Sequence, residues 1–335
     1  MKRFTPLLAA LLIIACESVE VRKQRYLIKG NAALEERNYA EAIRQFEAAV
    51  KLDSCYVDAL NNWGTALHRQ KYYAEAVELY SRALGCKPDY LPALLNRANS
   101  WFELHRFDRA LQDATMVLQK RDTMAAYFLI GLAQAKLGRY QQAVGAYKKV
   151  LQLDRENTDG LVNLAVAYYY LGEYDSASTI LNKVILKQRD LPEAWNTFGM
   201  IASAQQKWTE ALEYFNTALQ FPDANPWYRN NRGYVYLMMN RWDEAFSDIN
   251  QSIAADPLNA WAYRNKGIYY YLRGDMDSAI RLLEQALRMD ETVEDIYAWL
   301  AEVYYTAGKK DTACGYYKKS VERGERKLIT IKCRS

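Results

Sequence analysis

The feature that most constrains the fold of this 335-residue chain is a sequence repeat with a period of about 34 residues. One column is always alanine, at intervals of 34 residues except for one of 33: Ala42, Ala76, Ala110, Ala143, Ala177, Ala211, Ala245, Ala279 and Ala313. A second column, twelve residues earlier, holds only glycine or alanine: Gly30, Gly64, Ala98, Gly131, Ala165, Gly199, Gly233, Gly267 and Ala301. Three residues before the alanine, seven of the nine copies carry an aromatic residue. Such a period indicates small units that bury a core only by stacking on their neighbours.

Each copy predicts two helices joined by a tight turn. In the copy that spans residues 158–190, Leu164, Ala165 and Tyr168 recur at helical spacing, and Ala177 and Leu181 do so further along. A glycine stands between the two runs in four copies, where it ends a helix with positive φ: Gly138, Gly172, Gly274 and Gly308. Six of the seven prolines fall between copies, where proline does not interrupt a helix.

The period, the helix–turn–helix unit and the run from Asp256 to Trp261 resemble the tetratricopeptide repeat, and the resemblance covers residues 23–325. It implies an all-α fold, a right-handed α-solenoid superhelix of nine repeats. The third copy departs from the family pattern with Ala98 in the glycine column and Ala114 where an aromatic ring is expected. In the last copy, Lys310 replaces the aromatic residue, which suits a terminal repeat with one face in water.

The N-terminus has the form of an export signal. Lys2 and Arg3 precede an apolar run that is too short to span a bilayer. Residues 13–16 then read Ile-Ile-Ala-Cys, which resembles a bacterial lipobox. The resemblance implies a signal peptide over residues 1–15, lipidation of Cys16 and a stem over residues 16–22 of about 20 Å if extended. An ordinary signal that happens to end near a cysteine is the alternative.

Because Glu17 rather than aspartate follows Cys16, the lipobox resemblance favours the outer membrane of the bacterial envelope. The array would then lie close to that membrane and meet other envelope proteins.

Composition argues against catalysis and against nucleic acid. The chain has two histidines, His68 and His105, and a net charge of only +4. It lacks the phosphate-binding, nucleophile-elbow and zinc-protease motifs, and no pair of carboxylates stands out as acid and base. We expect no enzyme activity, no cofactor and no metal; a site of unrecognised type on the helix surfaces is the remaining alternative.

The family resemblance also predicts a binding groove lined by the first helices. Residues two positions before the small column point into that groove, and five of them are asparagines: Asn62, Asn96, Asn163, Asn231 and Asn265. Neighbouring groove positions hold Asn61, Asn196, Asn230 and Arg264, followed by Phe102, Tyr169, Tyr271 and Tyr305. Asparagine can pair with the backbone of an extended peptide, although it is also simply common at this position in the family. The clamp that holds a C-terminal carboxylate in chaperone-binding relatives is not expected, because Leu27 and Pro92 stand where it needs lysine.

Four cysteines besides Cys16 remain. Similar paired endings in tetratricopeptide proteins imply a disulfide between Cys314 and Cys333, which would fold the tail of residues 326–335 over the last helix; spacing alone does not establish this pairing. Cys55 and Cys86 are expected to be free thiols.

These features predict a non-catalytic scaffold or adaptor that binds envelope proteins or extended peptides on its concave face. The alternative is a periplasmic carrier or chaperone that binds exported polypeptides broadly. The sequence leaves the partner and the oligomeric state open.

Overall fold

The computed structural model describes residues 18–222, 224–325, 327, 331 and 333. These residues form eighteen α-helices and no strand, grouped in two compact units. The first unit, up to Leu137, contains α1 (Val19–Glu35), α2 (Tyr39–Leu52), α3 (Val57–Arg69), α4 (Tyr73–Cys86), α5 (Leu91–Glu103), α6 (Phe107–Leu118) and α7 (Met124–Lys136).

The second unit begins at Gly138 and contains eleven helices. They are α8 (Tyr140–Leu153), α9 (Thr158–Tyr170), α10 (Tyr174–Lys187), α11 (Pro192–Ala204), α12 (Trp208–Ala218), α13 (Trp227–Met238), α14 (Trp242–Ala255), α15 (Ala260–Leu272), α16 (Met276–Met289), α17 (Ile296–Thr306) and α18 (Lys310–Arg323). The all-α class and the nine repeats predicted from the sequence are confirmed, since odd-numbered and even-numbered helices are the first and second helices of the nine copies.

The helix pairs turn through a backbone conformation that is repeated in all nine copies. The residue five positions before the alanine column has positive φ every time, and it is glycine in only four copies. The other five are Arg37, Lys71, His105, Gln206 and Asn240. Positive φ at this point turns the chain out of the first helix and toward the second. The turn therefore belongs to the repeat geometry, and glycine eases it where it occurs.

The small column sets how closely the two helices of a repeat approach. A Cβ added to Gly64 would lie 2.6 Å from the ring of Tyr80, and one added to Gly30 would lie 2.4 Å from Phe46. In the third copy, Ala98 and Ala114 are both fully buried in one small cluster. The two departures seen in the sequence therefore compensate for each other. Ala98 is larger than the usual glycine, and Ala114 is smaller than the usual aromatic residue.

Two repeats each contain an ion pair that joins their first helix to their second helix. Arg97 forms a two-pronged bond to the carboxylate of Asp113, with both distances 2.8 Å, and Arg232 does the same with Asp248 at 2.7 and 2.9 Å. The arginines precede the small column by one residue in each case, and both carboxylates are buried. Paired geometry of this kind compensates for removing the charges from water.

The start of the array differs from the expected boundary. Helix α1 begins at Val19 rather than near Lys23, because the Ser18 hydroxyl accepts a hydrogen bond from the Val21 amide at 3.2 Å and caps the helix. Residues 19–22 of the expected stem are therefore helical and belong to α1. Cys16 and the signal segment lie outside the described residues.

The cysteines form two disulfides. Cys314 of α18 is bonded to Cys333 in the tail. Cys55 is bonded to Cys86, so the expectation of two free thiols is wrong. Cys55 lies in the loop between α2 and α3 and Cys86 ends α4, and the packing of α3 against both second helices accompanies a Cα–Cα distance of 5.6 Å between the two cysteines. Within the described part of the chain, no helix has the length and apolar character needed to cross a bilayer.

Candidate binding surface on the first helices

In each unit, a first helix contacts the next first helix directly, in addition to packing against second helices. These are α1, α3, α5 and α7 in the first unit, and α9, α11, α13, α15 and α17 in the second. We call the side that they present away from the second helices the first-helix surface. The groove residues predicted from the sequence lie on these helices, and the structure shows how their side chains are engaged.

In the first unit, the asparagines bond to each other across repeats. Asn62 of α3 donates to the side-chain oxygen of Asn31 on α1 at 2.7 Å. Asn96 of α5 donates to the side-chain oxygen of Asn61 on α3 at 3.0 Å, and Asn61 in turn donates to Asn62 at 2.9 Å. Three first helices are therefore joined by one continuous series of amide hydrogen bonds.

The second unit repeats this arrangement. Asn231 of α13 donates to Asn196 of α11 at 3.0 Å, and Asn265 of α15 donates to Asn230 of α13 at 2.9 Å. In each of these pairs and in that of Asn96 with Asn61, the donor stands two residues before the small column and the acceptor three residues before it in the preceding copy. The amides act as a spacer between neighbouring first helices.

Arg264 extends this network to the last repeat. Its Nε and Nη2 donate to the side-chain oxygen of Asn265 at 3.0 and 2.9 Å, and its Nη1 donates to the carbonyl of Glu294 at 2.7 Å. The guanidinium also lies 4.9 Å from the ring centroid of Trp261 and 5.4 Å from that of Tyr234. A cation held by three acceptor contacts and two rings is a structural element of this surface.

These contacts bear on the groove predicted from the sequence. Five of its residues are almost completely buried: Asn61, Asn196, Asn230, Arg264 and Asn265 are 6%, 9%, 2%, 6% and 1% exposed. Their side chains are engaged with neighbouring residues of the protein, so they hold consecutive first helices together. Contact of these residues with a bound peptide stays a prediction.

The remaining groove asparagines are accessible to different degrees. Asn62, Asn96 and Asn231 are partly exposed, with their amide groups committed to the neighbouring repeat. Asn163 is also partly exposed, and it donates to the carbonyl of Asp159 within its own helix at 2.9 Å. Contact of these four residues with a partner stays a prediction.

Aromatic side chains that the sequence-based groove omitted also lie on the first helices of the second unit. Trp261 and Tyr234 enclose Arg264, and Trp299 of α17 meets the Tyr271 ring edge-on at 6.2 Å between centroids. Trp299 occupies the same column as the asparagines, two residues before Ala301, and that column position could have revealed it. The first helices of the second unit therefore carry more aromatic side chains than the asparagine column alone indicates.

His68 is packed against a buried residue of the neighbouring repeat. Nδ1 of His68 lies 2.8 Å from the hydroxyl oxygen of Ser100, and that serine is completely buried. Burial lowers the pKa of His68 below its ordinary value. A serine that no substrate can reach is not a usable nucleophile. Among the described residues, no cluster of three or more His, Cys, Asp or Glu side chains is placed to hold a metal ion.

Stacked helix pairs whose first helices carry a partly exposed row of polar and aromatic side chains define a helical-repeat protein of the interaction-scaffold class. Tetratricopeptide repeat family models match residues 29–90, 95–158, 134–197, 223–292 and 273–326. The chain belongs to the tetratricopeptide repeat family.

Relatives in sequence match only parts of this chain. Protein CTR9 homolog of Arabidopsis thaliana is 31% identical over 39% of this chain and 12% of its own length. A TPR repeat-containing protein of Methanocaldococcus jannaschii is 23% identical over 57% of this chain and 35% of its own length. The Hsp70-Hsp90 organizing protein of Triticum aestivum is 24% identical over 52% of this chain and 30% of its own length. The match thus spans about a third or less of each of these proteins.

Two solved structures share the fold. One chain of the APC/C hetero-tetramer Cut9-Hcn1 is 16% identical with a TM-score of 0.58, over 86% of this chain and 57% of that one. Pseudomonas aeruginosa pilF is 18% identical with a TM-score of 0.54, over 63% of this chain and 96% of that one. At this identity, the likeness establishes the helical-repeat architecture alone.

Proposed function

We propose that this chain is a non-catalytic adaptor of the bacterial envelope that binds partner proteins or extended peptides on its first-helix surface. The tetratricopeptide fold supports a protein–protein interaction scaffold. One observation carries the proposal further: buried amides hold consecutive first helices at a set spacing, while aromatic and amide groups beside them stay partly exposed. A surface ordered before binding loses less entropy when a partner arrives.

An anchor at Cys16 is part of this proposal. The basic, apolar and lipobox-like segments at residues 2–16 support it, and so do the two disulfides, because disulfides persist outside the reducing cytoplasm. Lipidation would hold the array beside a membrane, with outer-membrane placement as the more specific form of the proposal. The helical start of the array at Val19 leaves only a short connection between that anchor and the first repeat.

The experiment is site-specific crosslinking in the producing cells. A photoreactive amino acid replaces Asn163 on the first-helix surface, and a matched variant carries it in place of Leu186, which is 78% exposed on α10. An adaptor should give a few discrete adducts from position 163 and none of the same from position 186. Identical adducts from both positions would remove the first-helix surface from the proposal.

The pattern of adducts also separates the alternative function. A carrier or chaperone for exported polypeptides would give many weak adducts from position 163 instead of a few strong ones. The anchor is tested separately with Cys16→Ala, which should release the mature protein from the membrane fraction and abolish labelling by an alkyne-bearing fatty acid. Unchanged membrane attachment and labelling would refute lipidation.

A further inference from the structure

Lys327, which follows the last helix, lies against the first-helix surface of the last repeat. Lys327 places its ammonium 3.8 Å from the ring centroid of Trp299 and 2.7 Å from a carboxylate oxygen of Glu302. Its backbone amide donates to the side chain of Asp295 at 2.9 Å. Asp295, Trp299 and Glu302 precede and line one side of α17, so three residues of one repeat hold one lysine of the tail.

This lysine is bound as a ligand would be. Its side chain is 21% exposed and that of Glu302 is 30% exposed, whereas lysine is rarely withdrawn from water unless it is paired. The aromatic face and the carboxylate both recognise a cation. The hydrogen bond from the Lys327 backbone amide to Asp295 involves the main chain, so any extended polypeptide could donate it.

The tail is held on both sides of Lys327. Upstream, the Glu325 carboxylate accepts hydrogen bonds from the amides of Tyr297 and Ala298 at 3.1 and 2.7 Å, which caps the start of α17. Downstream, Ile331 packs against the core of the last repeats and Cys333 is bonded to Cys314. An intramolecular ligand tethered in this way has an effective concentration of about millimolar.

We propose that Asp295, Trp299 and Glu302 form a binding site for a lysine-bearing extended segment of a partner polypeptide, and that the chain's own tail occupies this site until a partner displaces it. The inference rests on the proposed function, because it names the chemistry of a partner segment for that surface. Tyr271 of the neighbouring repeat completes the site, since its hydroxyl donates to Glu302 at 3.2 Å and its ring contacts Trp299.

The test uses the full-length protein and a labelled synthetic peptide of residues 322–335 in which Cys333 is replaced by serine. Fluorescence anisotropy compares the wild-type protein with a Lys327→Ala/Cys333→Ser variant, which we call the open variant because its tail lacks both the bound lysine and the disulfide. We expect the open variant to bind the peptide about ten-fold or more tightly than the wild type, because the tethered competitor is gone. The same peptide with Lys327→Ala should bind neither protein.

Variants of the site keep the test decisive. Trp299→Ala in the open background should abolish binding, and Glu302→Gln, which preserves size and removes the charge, should weaken it several-fold. Cys55→Ser/Cys86→Ser is the matched control for loss of a disulfide and should leave peptide binding at the wild-type level. Absence of binding to the open variant, or equal binding by Trp299→Ala, would overturn the inference and leave the tail as a structural cap.

This outcome is separable from the proposed function. Discrete adducts at position 163 without binding of the tail peptide would refute only the lysine site. Binding of the tail peptide to the open variant without any adduct at position 163 would refute the adaptor proposal while keeping the site.

Discussion

Asn265 donates its side-chain amide to the side-chain oxygen of Asn230 at 2.9 Å, and both residues are almost completely buried between two consecutive first helices. The pair joins neighbouring repeats in the way that backbone hydrogen bonds join neighbouring strands. Such a contact contributes to the stability of the array rather than to recognition, because neither amide faces solvent.

Asn265→Ala should therefore destabilise the protein by about 1–3 kcal/mol, since it removes the amide that donates to Asn230 and the side-chain oxygen that accepts two of the three hydrogen bonds of Arg264. Thermal unfolding followed by circular dichroism measures the effect. Asn163→Ala is the matched control, because it removes the same amide from a partly exposed position, and its melting temperature should stay near that of the wild type. Equal melting temperatures for the two variants would contradict the spacer role.

Asp248→Asn should destabilise the second unit by about 3 kcal/mol or more, because Arg232 keeps its charge in a largely buried place without a compensating carboxylate. The equivalent change in the first unit, Asp113→Asn, should have a similar effect on Arg97. Glu244→Gln, which interrupts an exposed ion pair with Arg241, serves as the control and should change little. Chemical denaturation gives the free energy of unfolding of all three variants. If Asp248→Asn and Asp113→Asn lower it no more than the control does, the buried pairs do not stabilise the fold.

Lys71→Gly should stabilise the protein and Gly172→Ala should destabilise it, each by about 1 kcal/mol. Lys71 has φ of 67° and Gly172 has φ of 78°, in the same turn of different repeats. A Cβ at Gly172 would have no neighbour within 4 Å, so backbone strain alone determines the result. Melting temperatures that move in the same direction for both variants would rule out this account of the turns.

Stability should fall on acidification through the ordinary pKa of histidine near 6.5 because of His68. Burial, assisted by Arg69 and opposed by Glu103, keeps the folded-state pKa of His68 below that value. The unfolded chain then binds the proton first, and stability that is complete above pH 7.5 or so, about one unit above that value, is lost as the pH falls through it.

His68→Gln should flatten this pH dependence while retaining a hydrogen-bonding group opposite Ser100. Melting temperatures of the wild type and the variant measured at about pH 8 and about pH 5.5 provide the comparison, since these values bracket the transition. Parallel losses in the two proteins would assign the acid sensitivity to other groups.

Much of the fold was predictable because its information is local and repeated. The alanine and small-residue columns predict the helices, their number and their pairing, since a Cβ at Gly64 would meet Tyr80 whatever the neighbouring repeats do. The positive φ at Lys71 or Arg37 was not predictable in the same way, because the packing of the two helices imposes the turn on residues that do not favour it.

The candidate site was predictable in position and less so in role. Column arithmetic placed Asn230 and Asn265 on the first helices, but no column reveals that one repeat's donor lies opposite the next repeat's acceptor. The bond between Cys55 and Cys86 escaped prediction for the same reason, because the packing of two consecutive repeats brings the two residues together.

By itself, the sequence determined the repeat, the helical class and the surface on which a partner is expected, because each follows from the spacing of residues within one copy. Only the tertiary structure decided which asparagines are buried spacers, which cysteines are joined and where Lys327 lies. Those outcomes depend on contacts between copies, and the contact between Lys327 and Trp299 exists only once the last repeat has folded beneath the tail.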